Sequence, residues 1–327
     1  MKHLTILVPE GENNLSSIVG TYKIFTRANE FQKSIRKREV FRIQVAGVSK
    51  KVDFYGGLFT VHPQAHISSI KRTNLIVIPS LNHNYDKAIG ANKPMIDWIQ
   101  KQYKLGAELA CICTGAFMLA STGILDGRTC STHWAAANTF RTLFPNVNLQ
   151  ADRVITDEAG IYTNGGAYSF LNLLIYLVEK YYGRSTAIYC SKVFQIDPNR
   201  ESQSPFSIFT GQKHHGDEVV TRAQAYIESH FDERMNIEKI CSKFLVGRRN
   251  FDRRFIKATG NTPLEYAQRV KIEAAKKAFE STGKTVNEVM YEVGYSDQKA
   301  FREIFRKITG NSPLEYRRRY NTTEAPR

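Results

Sequence analysis

Along the first two hundred residues, short apolar runs alternate with longer stretches whose apolar positions recur at helical spacing. HLTILV (3–8), FRIQVAGV (41–48), TNLIVIP (73–79), ELACIC (108–113) and GIYTNG (160–165) read as strands. GTYKIFTRANEFQK (20–33), NKPMIDWIQKQY (92–103) and AYSFLNLLIYLVEKYYG (167–183) read as helices. Strands apolar on both faces, interleaved with helices, predict an α/β sandwich with a mostly parallel sheet. The pattern dissolves at QIDPNRESQSPFSIFTGQKHHG (195–216), which is polar and without period. It divides a front domain (1–194) from a tail (217–327) and reads as a linker. In the tail, Gly, Pro and strand-forming residues thin out, and the pattern predicts helices throughout.

The tail says one thing twice. TGNTPLEYAQR (259–269) returns as TGNSPLEYRRR (309–319). Thr262, Pro263 and Glu265 form a capping box with proline at the first helical position, and Ser312, Pro313 and Glu315 repeat it. Gly260 and Gly310 stand where a preceding helix needs a residue tolerant of positive φ. The likeness extends upstream: Ile237 and Ile240 match Val286 and Val289, and Phe251 and Phe255 match Phe301 and Phe305 with a one-residue slip between. Each copy is a short helix, a tight turn and a second helix fixed by a Phe pair. Two helix-turn-helix units follow, at about 236–257 and 285–307, joined by a helix at about 263–282.

With the Phe pairs turned inward, Arg249, Asp252, Arg253 and Ile256 lie outward in the first copy, flanked by Arg248 and Arg254 and followed by Lys257. In the second copy Lys299, Arg302, Glu303 and Arg306 are outward. A helix fits the major groove, where Arg reads guanine and Gln reads adenine, while flanking cations meet phosphate. Gly247 and Ser296 are expected to begin the two second helices and to offer N–H groups to phosphate.

Composition adds bounds. The 327 residues are 42% hydrophobic and 24% charged, a globular balance. The net charge of +15 permits nucleic-acid binding without establishing it. Residues 211–327 carry 23 Lys and Arg against 16 Asp and Glu, and the first 210 carry 23 against 15, so placement rather than total has to identify the partner. Five cysteines at irregular spacing argue for a reducing compartment, the cytoplasm, rather than a disulfide framework. The apolar core of MKHLTILVPEGEN is too short for a secretory signal, and no run is long enough to span a membrane.

One front-domain stretch suggests chemistry. In AELACICTGAFMLASTGILDG (107–127) the apolar run ends at Cys113 and turns at once into a helical pattern. Such an elbow holds a thiol over the sheet's C-terminal edge, near helix N–H groups that lower its pKa. His133, in STHW (131–134), is a candidate base. The C-x-C and C-x-x-H spacings of Cys111, Cys113, Cys130 and His133 imitate a zinc site, but two of these cysteines belong to a strand, and no metal is expected.

Two resemblances gather these observations. The segment from about 217 to 320, through F-x-K-x-T-G-N-[TS]-P-L-E-Y, resembles the AraC/XylS-type DNA-binding domain. That resemblance implies recognition helices in successive major grooves, with Arg249, Asp252 and Arg253 facing bases in the first unit and Gln298, Lys299 and Glu303 in the second. Residues 3–190, through ICTGAFMLASTGILDGR, THWA and GIYTNGGAYSFLNLLIYLVEKYYG, resemble the DJ-1/PfpI superfamily and imply a flavodoxin-like fold. There the elbow cysteine pairs with an acidic residue after the first strand, where PEGENNLSSIVG (9–20) offers Glu10 and Glu12. Ser17 stands where hydratase-like members carry Asp, and Thr114 where hydrolase members carry His. The expectation is therefore a ligand pocket of Glu10, Ser17, Cys113, Thr114 and His133, with neither turnover nor a cofactor. An amidase or hydratase-like enzyme using Cys113 is the alternative. Together the two halves resemble the GlxA-like group of AraC-family transcriptional regulators. This implies a cytoplasmic homodimer that binds double-stranded DNA, activates transcription through RNA polymerase and takes a small-molecule effector.

Overall fold

The five apolar runs form the interior of a seven-stranded sheet. In chain order its strands are β1 (Lys2–Val8), β2 (Phe41–Gly47), β3 (Ala65–His66), β4 (Leu75–Ile78), β5 (Glu108–Ile112), β6 (Ile155–Glu158) and β7 (Ile161–Asn164). They lie in the order β6-β7-β5-β4-β1-β2-β3, and every neighbouring pair is parallel except β6 with β7. The computed structural model describes all residues but 12, 83, 198–201, 214 and 323–327, and the chain divides into two units, Met1–Gln203 and Ser204–Arg327.

The strand period of two explains the sandwich. Leu4, Ile6, Val8, Leu75, Val77, Ala110 and Ile112 feed one buried layer, shared with helices Leu15–Ser34, Phe170–Tyr182 and Arg184–Phe194. Leu7, Ile76, Ile78, Leu109 and Cys111 feed the opposite layer, with helices Lys93–Lys104 and Ala116–Ala120. Both faces are dry, which is why these strands read as continuous apolar runs. Two strands escape the pattern. β3 has only two residues, and β6 is an edge strand whose Asp157 accepts from Lys180 Nζ (2.9 Å) and the Tyr176 hydroxyl (2.5 Å). The first helix begins five residues before the expected Gly20, because the Asn14 side chain accepts the Ser16 N–H. Ser17 and Thr21 tolerate burial there by donating to the Asn14 and Ser17 carbonyls, each at 2.6 Å.

The segment read as a linker is shared between the units. Gln203 is buried in the first, where its N–H donates to the Asp152 carbonyl (2.7 Å). In the second, Lys276 Nζ donates to the Ser207 carbonyl (2.6 Å), and the Phe209 N–H donates to Glu273 (3.1 Å). Single hydrogen bonds of this kind impose no sequence period, so the segment looks structureless when read alone.

The second unit is helical: α1 (Glu218–Ser229), α2 (Ile237–Lys243), α3 (Arg248–Thr259), α4 (Pro263–Ser281), α5 (Val286–Glu292), α6 (Gln298–Thr309) and α7 (Pro313–Tyr320). The repeated phrase does the same work in both places. Thr259 Oγ1 donates to the Phe255 carbonyl (2.8 Å) and accepts the Asn261 N–H (3.1 Å), and Thr309 does likewise with Phe305 (2.8 Å) and Asn311 (3.2 Å). Gly260 (φ 68°) and Gly310 (φ 74°) end α3 and α6 in the left-handed region. Capping boxes open α4 (Thr262, Glu265) and α7 (Ser312, Glu315), as expected, and a third opens α5 (Thr285, Glu288). Tyr266 and Tyr316 then pack edge-on against Phe255 (5.4 Å) and Phe305 (5.6 Å), their hydroxyls donating to Glu228 and Glu280 at 2.5 Å.

Helix α4 serves both copies. Tyr266 and Ala267 belong to the first core, and Ile272, Ala275 and Phe279 to the second. Between the two sets lies Lys271, buried, with Nζ donating to the carbonyls of Phe231 (2.5 Å), Glu233 (2.9 Å) and Val293 (2.8 Å). Burial pulls its pKa below the usual lysine value, with Asp232 opposing. Lys271→Met removes the donor and strands the carbonyls. It is expected to cost this unit about 2–4 kcal/mol, read by denaturant unfolding, and an unchanged midpoint would mean that other donors replace the ammonium.

Candidate nucleic-acid interface and the cysteine elbow

The second helix of each pair, α3 or α6, is anchored by two fully buried rings, Phe251 with Phe255 and Phe301 with Phe305, at centroid distances of 5.4 and 5.7 Å. Apolar residues at i and i+4 fix the buried face, and the positions at i+1 and i+2 from the first ring turn away from it. Arg249, Arg253 and Lys257 are exposed on α3, and Gln298, Lys299, Arg302, Glu303 and Arg306 on α6. The two faces differ in how far their charges are already spent. Arg248 bridges α3 to α2, donating to Asp252 (2.8 Å) and Glu238 (3.0 Å). Arg253 donates to Asn250 (3.0 Å), and Gln298 to Asn287 on α5 (2.7 Å). Asp252, grouped by the sequence with the outward residues, is therefore partly neutralised by Arg248.

The one-residue slip lies in the turn. In the first copy Leu245 takes the left-handed conformation (φ 51°) and Gly247 caps α3. In the second, Gly294 takes that conformation (φ 72°) and Asp297 caps α6, its carboxylate accepting the Ala300 N–H at 2.6 Å. Ser296, expected to begin the helix, lies one residue before the cap. The extra residue makes Asp297, not Ser296, the counterpart of Gly247. An approaching phosphate thus meets open N–H groups at α3 and a carboxylate at α6. Gly294 itself is obligatory, since a Cβ there would stand 2.0 Å from the Asp232 carbonyl oxygen.

Arg254 does not flank an outward face. It forks onto Asp217, the cap of α1, through Nε (2.8 Å) and Nη2 (2.7 Å). The guanidinium holds the Asp217 carboxyl below the usual carboxylate range. A depressed folded pKa contributes stability above the unfolded value and loses it as pH falls through the folded one. Arg254→Ala should therefore weaken the second unit at neutral pH and flatten its loss of stability on acidification. A pH series of thermal midpoints checks both, and an unaltered slope would show the pair to be idle.

At the front-domain elbow the turn from strand to helix is present, and its backbone is strained. Cys113 has φ 52°, and Gly115 is required beside it, since a Cβ would lie 2.5 Å from the Pro79 carbonyl oxygen. Ser80, Thr114 and the main-chain N–H of His133 lie close enough to the sulfur to favour its thiolate. Burial outweighs them and pushes the thiol up rather than down, contrary to the expected lowering. Ser17 Oγ accepts the Ser80 N–H (3.3 Å), Ser80 shares a hydrogen bond with Thr114 (2.8 Å), and Thr114 donates to the Leu81 carbonyl (2.5 Å). Ser17, Cys113 and Thr114 are thus joined, and His133 joins them through its main chain. The His133 ring instead accepts the Ala135 N–H through Nδ1 (3.1 Å), capping its own turn. Glu10 stands apart from these bonds: its N–H and carbonyl are both held by the Asn92 side chain, at 2.7 and 3.0 Å. Glu12 lies outside the described residues.

Sequence reasoning missed Ser80, Asn164, whose side chain accepts the Cys113 N–H (3.0 Å), and Tyr85, close enough for the thiolate charge to raise its pKa further after burial. Ser80 and Asn164 could have been found, since one lies just past the end of a parallel strand and the other ends one, where sites in such sheets gather. Cys111 and Cys130 are buried, the latter pushed up to about 12 by desolvation. No group of three or more His, Cys, Asp and Glu placed for a metal occurs among the described residues.

Residues 19–180 match the DJ-1/PfpI family, and residues 240–319 match a helix-turn-helix domain family. The chain thus carries a DJ-1/PfpI family domain followed by a helix-turn-helix domain. Among its relatives is the HTH-type transcriptional regulator GbdR of Pseudomonas aeruginosa, 24% identical over 64% of this chain and 58% of GbdR. Another is the regulator GlxA of Rhizobium meliloti, 24% identical over 62% of this chain and 63% of GlxA. The chain thus spans less than two thirds of either relative. An isonitrile hydratase of Pseudomonas putida is 29% identical over 28% of this chain and 39% of its own. A solved ThiJ/PfpI family protein from Pseudomonas syringae shares the fold, with a TM-score of 0.51 and 15% identity over 74% of this chain and 90% of that one.

Proposed function

We propose that the chain is a sequence-specific regulator of transcription that binds double-stranded DNA through α3 and α6. The observation that carries this reading is the pair of exposed cationic faces opposite the buried Phe pairs, on two units that share α4. Arg249 and Arg253 on α3 and Lys299, Arg302 and Arg306 on α6 supply base and phosphate contacts. The likeness to GbdR and GlxA, both transcriptional regulators, supports it. Gln298, with an exposed amide, suits adenine, and Glu303 suits cytosine N4. Activation through contact with RNA polymerase, dimerisation through the front domain and a cytoplasmic location complete the proposal. Among the described residues no helix is long and apolar enough to cross a membrane.

The elbow is read as a ligand pocket without turnover. A thiol held up by burial, with a threonine beside it and the His133 ring engaged in capping, lacks an activated nucleophile and a base. The strained backbone at Cys113 and the likeness to an isonitrile hydratase favour a cysteine-dependent hydratase as the second reading. Cys113→Ser separates them: unchanged DNA affinity with no lost turnover on isonitriles or amides supports the pocket.

Arg253→Ala and Arg302→Ala should each cost about 1–3 kcal/mol on a site selected from random DNA, and relax preference at one position. Arg254→Ala, engaged with Asp217, should leave that affinity nearly unchanged. Equal losses on selected and random duplexes, measured at fixed salt, would overturn the base-reading assignment.

A further inference from the structure

The wall of the elbow has a second occupant. Loop 131–134 carries Thr132, whose hydroxyl donates to the Cys113 carbonyl (3.0 Å), and His133, whose N–H is directed at the sulfur. Gln203, the last residue of the first unit, holds the same loop. The two hydrogens of its Nε2 are shared among the carbonyls of Thr132 (2.9 Å), Ala151 (2.9 Å) and Arg153 (3.0 Å), and its Oε1 accepts the Trp134 N–H (3.3 Å). The residue before it, Ser202, forms an antiparallel bridge with Arg153.

The slot is built for this side chain. Gln203 is 1% exposed, and a Cβ at Gly165 would stand 1.7 Å from its Nε2. Gly165 is therefore kept bare by a residue 38 positions away. A buried amide satisfied at both ends in this way is costly to withdraw, and a loop bonded to it is correspondingly fixed.

We propose that Gln203 is a latch coupling occupancy of the Cys113 elbow to the chain that leads into the helix-turn-helix unit. Thr132 and the 133–134 peptide are held by Cys113 on one side and Gln203 on the other. A group that binds at the sulfur and displaces the His133 N–H moves the atoms that hold Gln203, and its release frees residues 202 and 203 ahead of Ser204. Coupling of this kind is reciprocal, so releasing Gln203 must in turn loosen the wall over Cys113. The proposal rests on reading the elbow as a binding pocket and is independent of what α3 and α6 bind.

Reciprocity supplies the test on the full-length chain. Gln203→Ala should raise the rate at which iodoacetamide alkylates Cys113 by about tenfold, a change of the order that lost buried hydrogen bonds produce. Peptide mass spectrometry resolves Cys113 from Cys190, a buried cysteine in the core of the same unit, whose rate should not move. A parallel rise at both cysteines means general loosening and overturns the latch, as does no rise at either. From the other end, Thr132→Val removes the bond to the Cys113 carbonyl and should speed amide exchange at Gln203 several-fold, with exchange in β4 unaltered. Should Gln203→Ala fail to fold, this arm decides alone, and protection unchanged at Gln203 sinks the proposal. Neither readout involves DNA, so a failure of the regulator assignment would show separately.

Discussion

One ammonium group holds the second unit together as a single body. Lys271 lies at the middle of α4, where the first core ends and the second begins, and its three hydrogen bonds reach the 231–233 loop on one side and the turn before α6 on the other. Backbone carbonyls that leave a helix end need donors, and here three of them find one side chain instead of water. Gly294 belongs to the same constraint, since any side chain at that turn would collide with the Asp232 carbonyl and with Lys271 Nζ. The spacing between the two outward faces is thus set by a buried charge rather than by apolar contact alone.

Much of this is legible in the sequence because it is local. Capping boxes, left-handed glycines and Phe pairs are all decided within a few residues, so the copies at 259–269 and 309–319 read as turn and helix start from their residues alone. The sandwich is legible for a related reason: parallel strands buried on both faces leave unbroken apolar runs. The turn between the helices is harder. Leu245 and Gly294 adopt the same left-handed conformation from unlike residues, and the extra residue in the second turn moves the cap from the anticipated Ser296 to Asp297. Edge strand β6 escapes because its Asp157 is satisfied by Tyr176 and Lys180 from another element.

The elbow shows what sequence spacing does not carry. The positions of Cys113, Gly115 and Thr114 follow from the strand-to-helix turn, but Ser80 and His133 beside the sulfur, and Asn164 on the Cys113 N–H, come from separations that no motif encodes. Their net effect also has to be weighed rather than read. Several donors lie close to the thiol, yet desolvation at a site almost without solvent outweighs them. A helix start that looks activating from its sequence is, once packed, a weakly acidic thiol in a satisfied cradle.

The sharing of α4 has an evolutionary corollary. Two copies of a motif usually remain separable after duplication, each able to drift, be lost or be transplanted by itself. Here one helix supplies the closing ring of the earlier copy and the opening apolar stripe of the later one. Cutting the gene between them would leave Ile272, Ala275 and Phe279 bare on a helix already committed to its neighbour. The duplication has become an indivisible inheritance, which can change its outward residues freely but cannot shed either half.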